Sequence, residues 1–449
     1  MTPERDVAAL ARRRDPEALA RLLGPDQPLA PLLDAANRMR REGHGDRVSY
    51  SPKAFLPLTQ LCRDNCGYCT FAHPPRPGAR AFMSEAEVLG VARLAAQAGC
   101  REALFTLGDK PERRYRAARQ ELAEMGFATT VEYLAHVAGR VMSETGMLPH
   151  ANPGVLSRDE MALLRTVSAS QGIMMEQVSP RLLARGEAHW ASPDKRIEPR
   201  LETMRLAGEL DVPFTTGLLI GIGETIEERA VTIATVAGAA REPHVQELIV
   251  QNFRAKPGTR MADAPEPDLE QLLRAIAVTR LAAGPAVNVQ APPNLVPGSR
   301  ETLPRLVEAG INDWGGVSPV TMDYVNPEAP WPQLRLLEAA TRRAGAQLVA
   351  RLSVYPEYIR SFDDAQRWLD PRVLRHVLAA ADGEGLARTG AWWPAQNLTP
   401  PGTFSPSPVR PAIAAALRRA EAAEELDLAE GREVLVVVKA SEVIIAVPD

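Results

Sequence analysis

The sequence is poor in cysteine, in long apolar runs and in net charge. Only four of its 449 residues are cysteine, which excludes a disulfide-stapled scaffold. No apolar run approaches the roughly 18 residues that a membrane-spanning helix needs, and the charged start MTPERDVAALARRRD lacks the apolar segment of a secretory signal. These absences predict a soluble, cytoplasmic protein that has no membrane partner.

Positive and negative side chains almost cancel along the chain. Lys and Arg total 52 and Asp and Glu total 56, so the formal net charge is −4. Arginine is spread along the sequence, and the short basic stretch 12–14 is typical of a solvated helix face. We therefore expect no nucleic-acid partner, because such a partner is held mainly by clustered positive charge.

Short apolar runs alternate with amphipathic helical stretches from residue 51 onward. Ser84 with Glu87, and Ser157 with Glu160, have the capping-box spacing that marks the start of a helix. This βαβα order predicts an α/β fold, a TIM-type (β/α) barrel, although the last two strands could equally belong to an incomplete barrel. The candidate strands cover residues 55–60, 102–107, 146–151, 172–178, 213–221, 247–253, 286–291 and 312–317.

The same pattern divides the chain into four segments. They are an N-terminal helical segment (1–50), the barrel core (51–360), a C-terminal helical segment (361–391) and a Pro-rich linker with a short tail (392–449). In the tail, the linker at 392–411 precedes a predicted helix at 412–426 and one or two strands. This is too little material for an independent core.

Three of the four cysteines lie within eight positions, in the stretch LCRDNCGYCTF. Cys62, Cys66 and Cys69 have the spacing C-x3-C-x2-C and follow the first predicted strand, at the barrel face where such enzymes keep their chemistry. Thiolates at this spacing can hold zinc or an iron–sulfur cluster. With His73 the loop would offer four ligands to zinc, whereas three thiolates alone would leave one iron of a four-iron cluster open to another ligand. Structural zinc ligands usually come as two separated pairs, which disfavours zinc.

The cysteine spacing, with the aromatic Tyr68 before the last cysteine, resembles the signature of the radical S-adenosylmethionine (SAM) superfamily. The resemblance implies that Cys62, Cys66 and Cys69 hold a [4Fe-4S] cluster, and that the amino and carboxylate groups of SAM chelate its fourth iron. An external one-electron reductant would then drive cleavage of SAM to methionine and a 5′-deoxyadenosyl radical. Tyr68 would cover the cluster or the adenine.

Two other stretches resemble SAM-binding parts of the superfamily. Gly108 and Asp109 lie where a loop contacts the SAM amino group, although an ordinary βα turn is the alternative. The stretch TTGLLIGIGE is similar to G-x-I-x-G-x-x-E, which implies an adenine-binding role for Gly217, Gly221 and Glu224 because glycines let a ligand approach the backbone. A dinucleotide-binding G-x-G-x-x-G is excluded, since its third glycine is replaced by isoleucine.

Glu176 and a charged segment after it complete the candidates for SAM binding. Similar barrels imply that Glu176 accepts a hydrogen bond from a ribose hydroxyl; the alternative is a buried carboxylate paired with arginine. Arg196, or its neighbours Lys195 and Arg200, could reach the SAM carboxylate, because arginine suits bidentate carboxylate binding. Weak candidates for substrate contact are the strand-end residues His150, Asn152 and Asn252.

A longer series of motifs runs in order between residues 48 and 359. It comprises CRDNCGYCTF, LGDKPE, EQVSPRL, PDKR, NVQAPPNL and NDWGGVSPVTMDYVNPE. This series resembles the FO synthase family, specifically its first subunit, 7,8-didemethyl-8-hydroxy-5-deazariboflavin synthase. The resemblance implies a carbon–nitrogen lyase of coenzyme F(420) biosynthesis. It would convert a tyrosine-derived hydroxybenzyl–ribitylaminouracil adduct, made by a partner FO synthase subunit 2, into the deazaflavin with loss of ammonia.

Three alternatives to this function remain open. The tyrosine-cleaving partner half is separated only by family-level motifs. A biotin-synthase-like enzyme would need further cysteines for a second cluster, but only Cys100 remains, in a setting typical of a small core residue. A zinc-stabilised binding protein with His73 as the fourth ligand is the alternative outside enzymes.

Overall fold

The computed structural model describes residues 3–296, 299–388, 435–439 and 442–446. Residues 1–389 form one compact unit and residues 390–449 a second. The helices of the first unit are α1 Pro3–Arg12, α2 Pro16–Leu23, α3 Leu29–His44, α4 Glu85–Gln97, α5 Arg116–Glu124, α6 Thr130–Thr145, α7 Arg158–Arg165, α8 Ile197–Glu209, α9 Ile226–Ala239, α10 Leu269–Ala283, α11 Ser299–Glu308, α12 Leu334–Arg343, α13 Phe362–Trp368 and α14 Pro371–Ala380. Its strands are β1 Arg47–Thr59, β2 Glu102–Leu107, β3 Leu148–Asn152, β4 Ser170–Gly172, β5 Phe214–Ile220, β6 Val245–Asn252, β7 Asn288–Gln290, β8 Asp313–Val317 and β9 Gln347–Ala350.

The first eight strands close into a parallel barrel, which confirms the predicted fold. Their order is β2-β3-β4-β5-β6-β7-β8-β1, and β1 also pairs with β2, so that the sheet has no gap. Leu56 of β1 lies opposite Phe105 of β2, and Ser51 lies opposite Gly316 of β8. The last two predicted strands therefore complete the barrel. Strand β9 pairs with the beginning of β1, outside the ring of eight.

The expected helix starts are present, and local hydrogen bonds explain them. The Ser84 hydroxyl accepts a hydrogen bond from the backbone N–H of Glu87, and the Glu87 carboxylate accepts one from the backbone N–H of Ser84, which satisfies two free donors of α4. Ser157 and Glu160 form the same reciprocal pair at α7. Helices α2 and α3 pack on α9 and α10, and this second layer explains why α10 is buried on almost every side.

The observed bounds of two strands, β1 and β4, differ from those that the apolar pattern predicts. β1 starts at Arg47, ahead of the predicted residue 55 and inside the segment predicted to be helical. The apolar pattern does not indicate this start, because the first half of the strand carries polar side chains such as the buried Ser51 and Lys53. β4 covers only residues 170–172 instead of 172–178. The chain after it stays buried but turns, and Glu176 has a left-handed φ of 60° and a single bridge to Leu218 of β5.

The second unit is described only in its last strands. β10 (Leu435–Lys439) and β11 (Glu442–Ala446) pair antiparallel, as two strands of the predicted tail. The predicted linker at 392–411 and the predicted helix at 412–426 lie outside the described residues. Across the described part of the chain, none of the helices combines the length and apolar character required to cross a bilayer.

Candidate active site

The three clustered cysteines lie on the loop that follows β1, at the carboxyl end of the barrel strands. All three are free, partly buried thiols that line one cavity of about 370 Å³ inside the barrel. The loop is held by its backbone: Arg63 N donates to Asp109 O at 2.8 Å, and Gly67 N donates to Ala188 O at 2.6 Å. Hydrogen bonds from two flanking loops therefore set the position of the thiols before any ligand binds.

The environment of the thiols suits sulfur atoms that ligate a metal. Asp109 N donates to Cys62 Sγ at 3.2 Å, and Ser192 Oγ lies 3.6 Å from Cys66 Sγ. Burial, followed by the charge of Asp64, raises the pKa of Cys62, and burial raises the pKa of Cys66 to about 11. A bound metal ion would supply the positive charge that favours the thiolate forms of Cys62 and Cys66, and the two donors would stabilise those thiolates.

A single zinc ion does not fit this loop. Sulfur atoms on one tetrahedral zinc lie about 3.8 Å apart, given a Zn–S bond of about 2.3 Å. Within the described residues, the one group of three or more Cys, His, Asp or Glu ligand atoms that all lie within 4.8 Å is Asp64, Asp109 and Asp194. His73 hydrogen-bonds its neighbour Pro74 and does not line the cavity. The three thiols are thus not gathered closely enough to share one zinc ion.

Gly108 and Asp109 pack directly against the cysteine loop. A Cβ at Gly108 would lie 1.9 Å from Leu61 O and 2.8 Å from Cys62 Cα, so the close approach requires glycine. Asp109 Oδ2 accepts from Val155 N at 3.1 Å, but its buried Oδ1 has no partner among the residues that the structure describes. Burial, with the nearby Asp194 and Asp64, raises the pKa of Asp109 to about 7. This orphaned oxygen beside the thiols fits the ammonium group of an amino-acid ligand.

Gly108→Ala is expected to destabilise the chain by about 1–3 kcal/mol, the usual cost of an overpacked contact. It should also displace Cys62 and lower iron retention after anaerobic reconstitution. Gly90→Ala is the matched control, because nothing lies within 4 Å of a Cβ at that position of α4. The control should be slightly more stable than wild type. Equal iron content and equal unfolding midpoints in the two variants would contradict the proposed steric role.

Glu176 stands at the centre of a buried hydrogen-bonded cluster. Its Oε1 accepts from Lys195 Nζ at 2.6 Å, and its Oε2 contacts His189 Nε2 at 3.1 Å and accepts from the Tyr68 hydroxyl. The cationic partner of Glu176 is thus a lysine, whereas the alternative considered from the sequence was a carboxylate paired with arginine. Burial opposes ionisation, but Lys195 and His189 outweigh it and hold the pKa of Glu176 well below its usual range. The charged carboxylate lines the cavity and keeps acceptor capacity for one more donor.

The three cationic candidates for binding the SAM carboxylate, Lys195, Arg196 and Arg200, differ in whether they reach the cavity. Lys195 and Arg200 line the cavity, and Arg200 Nε donates to Asp194 O at 2.8 Å. Arg196 is exposed, its Nε donates to Pro193 O, and it is absent from the cavity wall. Arg196 occupies the N-cap position of α8 without a capping hydrogen bond from its side chain, so Lys195 and Arg200 are the members of the predicted set that line the cavity.

The glycines of β5 and of the turn that follows it allow close backbone packing. A Cβ at Gly217 would lie 2.1 Å from Ile249 O on β6, and Gly221 has φ 88° and lies against Pro267. Glu224 is fully buried, accepts from the backbone N–H groups of Gly221 and Ile222, and pairs with Arg229. None of the three predicted residues lines the cavity, whereas Leu219 of the same stretch does.

The other strand-end candidates do reach the cavity. His150, Asn152 and Asn252 line it, and Cys100 is a buried core residue, 1% exposed. The cavity wall also carries an aromatic pair that the sequence did not reveal: Phe55 stacks on Trp331 with ring centroids 4.9 Å apart. The two residues are 276 positions apart in the sequence (331 − 55), so no local sequence pattern could predict the contact.

The cavity floor is a buried ionic network that sequence reasoning missed. Arg351, just after β9, donates to Asp313 Oδ2 at 2.6 Å and to Glu247 Oε1 at 2.9 Å. Lys53 pairs with Glu102 at 2.8 Å. Each of these residues except Arg351 lies within a barrel strand. A charged residue inside a strand that is covered on both faces is the sequence signal that could have revealed the network.

Comparison with known proteins identifies relatives. The model of the radical SAM superfamily matches residues 56–236. The 7,8-didemethyl-8-hydroxy-5-deazariboflavin synthase of Methanopyrus kandleri is 49% identical over 342 residues, which cover 76% of this chain and 100% of that protein. The FO synthase of Mycobacterium tuberculosis is 48% identical over 389 residues, 83% of this chain and 45% of that protein. The chain thus spans less than half of the FO synthases that it matches.

Two solved structures share the barrel. The FeFe-hydrogenase maturase HydG of Carboxydothermus hydrogenoformans has a TM-score of 0.62 at 17% identity, covering 83% of this chain and 88% of that one. Methylornithine synthase has a TM-score of 0.60 at 17% identity, covering 76% and 97%. At such identities they establish the fold alone. Taken with the cysteine loop and the full-length match to the Methanopyrus protein, the comparisons show that this chain belongs to the radical SAM superfamily and, within it, to the FO synthase family.

Proposed function

We propose that the chain converts the tyrosine-derived hydroxybenzyl–ribitylaminouracil adduct into 7,8-didemethyl-8-hydroxy-5-deazariboflavin (FO), with loss of ammonia, in coenzyme F(420) biosynthesis. The observation that carries the proposal is the match to the whole length of the Methanopyrus synthase, at 49% identity. The cavity supports it, because the cysteine loop, a polar floor and an aromatic wall meet in one space. The reaction class would be a carbon–nitrogen lyase.

The residues present fit a [4Fe-4S] cluster and SAM. Cys62, Cys66 and Cys69 would hold three irons, and the bound cluster with SAM supplies the 5′-deoxyadenosyl radical that abstracts hydrogen from the substrate. Asp109 Oδ1, buried without a partner, would accept from the SAM amino group. Lys195, which lines the same space, would face the SAM carboxylate. The Arg200 guanidinium, also in the wall, would add a second positive charge.

Glu176 would accept a hydrogen bond from a ribose hydroxyl of SAM. Tyr68 supports this role, since its hydroxyl donates to Glu176 and its ring lies on the cysteine loop. The role in adenine binding would then be indirect for Gly217, Gly221 and Glu224. They would shape the backbone that brings Leu219 to the cavity. The residues that line the cavity would shield a radical from bulk water and so from quenching.

Phe55 and Trp331 offer a stacking surface for the hydroxybenzyl ring of the substrate. Trp331 Nε1 donates to Thr321 O at 3.0 Å, and the same threonine's hydroxyl accepts from Phe55 N at 2.9 Å, so one residue fixes both rings. The adduct would come from an FO synthase subunit 2-type partner, and the electron from an external reductant.

The decisive experiment supplies the reconstituted chain with SAM, a one-electron reductant and the adduct. We expect a fluorescent deazaflavin together with 5′-deoxyadenosine. Deoxyadenosine without deazaflavin would reject the proposed substrate while keeping the superfamily chemistry. A parallel reaction with tyrosine and 5-amino-6-(D-ribitylamino)uracil tests the alternative, because adduct formation there would assign the chain to the tyrosine-cleaving half.

A further inference from the structure

The deep end of the cavity holds polar atoms that the described protein leaves without partners. Gln246 of β6 is 2% exposed and Ser353 is 1% exposed, and both residues line the cavity. Gln246 Oε1 and Ser353 Oγ make no hydrogen bond within the described residues. A buried polar atom without a partner costs about 1–3 kcal/mol, so two of them on one cavity wall indicate a ligand.

His150 of β3 adds a third acceptor, and its hydrogen bonds fix its tautomer. Ser170 Oγ donates its only hydrogen to Ser353 O at 2.7 Å, so at its 2.7 Å contact with His150 Nδ1 it must accept. Nδ1 therefore carries the proton and Nε2 is left as an acceptor. Burial lowers the pKa of His150 to about 4, which keeps the ring neutral.

Each charged group around these atoms already has a partner of opposite sign, although three carboxylates share two cations: Glu102, Glu247 and Asp313 with Lys53 and Arg351. Lys53 lies 2.8 Å from Glu102, and Arg351 lies 2.6 Å from Asp313. The Gln246 amide nitrogen is also in use, because it donates to Thr215 Oγ1 and to the backbone of Ser353, each at 3.2 Å. The site thus presents two acceptors and one hydroxyl to a neutral occupant. A ligand must bring donors to satisfy it.

We propose that His150, Gln246 and Ser353 form the subsite for the polyhydroxy (ribityl) chain of the substrate, an inference that rests on the proposed function. Each hydroxyl of such a chain both donates and accepts, which matches two acceptors and one serine hydroxyl. The edge of a uracil ring offers two carbonyl acceptors and one N–H donor. It would therefore place acceptors against the acceptors of the site, and it fits less well than a polyol. The subsite therefore sets specificity for the sugar-alcohol chain and orients the ring toward the cysteine loop.

Ser353→Ala tests the subsite in the full-length, cluster-loaded chain with SAM. The Ser353 hydroxyl makes no hydrogen bond to any described residue, so its removal should leave the unfolding midpoint unchanged. Affinity for FO, measured by its fluorescence, should fall about tenfold, the equivalent of one hydrogen bond. The second probe is a deazaflavin with methyl in place of the ribityl chain, whose affinity should not change. Thr279→Val is the matched control, because it removes another buried, unbonded hydroxyl, in α10.

The outcomes separate the subsite from the proposed function. Equal FO affinity in wild type and Ser353→Ala, or an equal loss for both probes, would overturn the polyol subsite and leave FO synthesis untouched. Absence of deazaflavin synthesis by the wild-type chain would overturn the proposed function by itself. A lower unfolding midpoint for Ser353→Ala, with unchanged binding, would show that the hydroxyl is structural.

Discussion

Cys66→Ser is expected to leave the reconstituted chain with little iron, in place of about four atoms per chain for one cubane cluster. A serine hydroxyl stays protonated and is a hard oxygen ligand, so it cannot replace a soft thiolate. Formation of 5′-deoxyadenosine should then fall by at least about a thousandfold, because the radical arises only from a reduced cluster. Iron analysis, the absorption of the cluster and quantified deoxyadenosine measure the effect.

Cys100→Ala is the matched control for this prediction. Cys100 is 1% exposed in the apolar core and does not line the cavity, so its sulfur should not contribute to metal binding. The control should retain iron and activity at the cost of a small packing defect. Retention of the cluster by Cys66→Ser, or its loss from Cys100→Ala, would contradict the assignment of the three clustered thiols.

Arg351→Met is expected to destabilise the chain by about 3–5 kcal/mol, the usual cost of breaking a buried ion pair from one side. The substitution removes two hydrogen bonds to Asp313 and one to Glu247, and leaves both carboxylates without their cation. The same guanidinium lies over the Tyr355 ring, 4.4 Å from its centroid. Denaturant unfolding of the wild type and the variant measures the loss of free energy of unfolding.

Arg342→Met provides the comparison on the surface. Arg342 forms an exposed (i, i+4) pair with Glu338 in α12, with 74% and 55% of the side chains exposed. Such pairs contribute about 0.3–0.5 kcal/mol, so the control should lie close to wild type. A loss for Arg351→Met as small as that of the control would show that the network relaxes around the methionine.

Local chemistry made part of this fold predictable. The capping pairs at Ser84 and Ser157 depend on residues three positions apart, and the structure shows both. The sequence predicts strand β2 over its observed length, because the short apolar run Ala103–Phe105 stands between two helical stretches. The start of β1 was missed, since polar side chains such as Lys53 are buried only through partners on other strands.

The candidate site divides in the same way. Sequence spacing identified the cysteine loop, and the resemblance to the superfamily indicated Asp109; the structure places both in the wall of one cavity. Sequence spacing could not separate Lys195, which pairs with Glu176, from the exposed Arg196, because adjacent residues of one loop face different directions. Nor could it show that Gly217 packs against a neighbouring strand, since the contact with Ile249 joins two strands.

By itself, the sequence determined the barrel class, the helix starts and the three-thiol loop, because each depends on residue types at short, fixed spacing. Only the tertiary structure decided what surrounds that loop. The ionic floor at Arg351, the stack of Phe55 on Trp331 and the unpartnered acceptors at the deep end join residues from distant strands. Barrel closure brings them together, and burial then makes each charge and each hydrogen bond depend on a partner that no local pattern specifies.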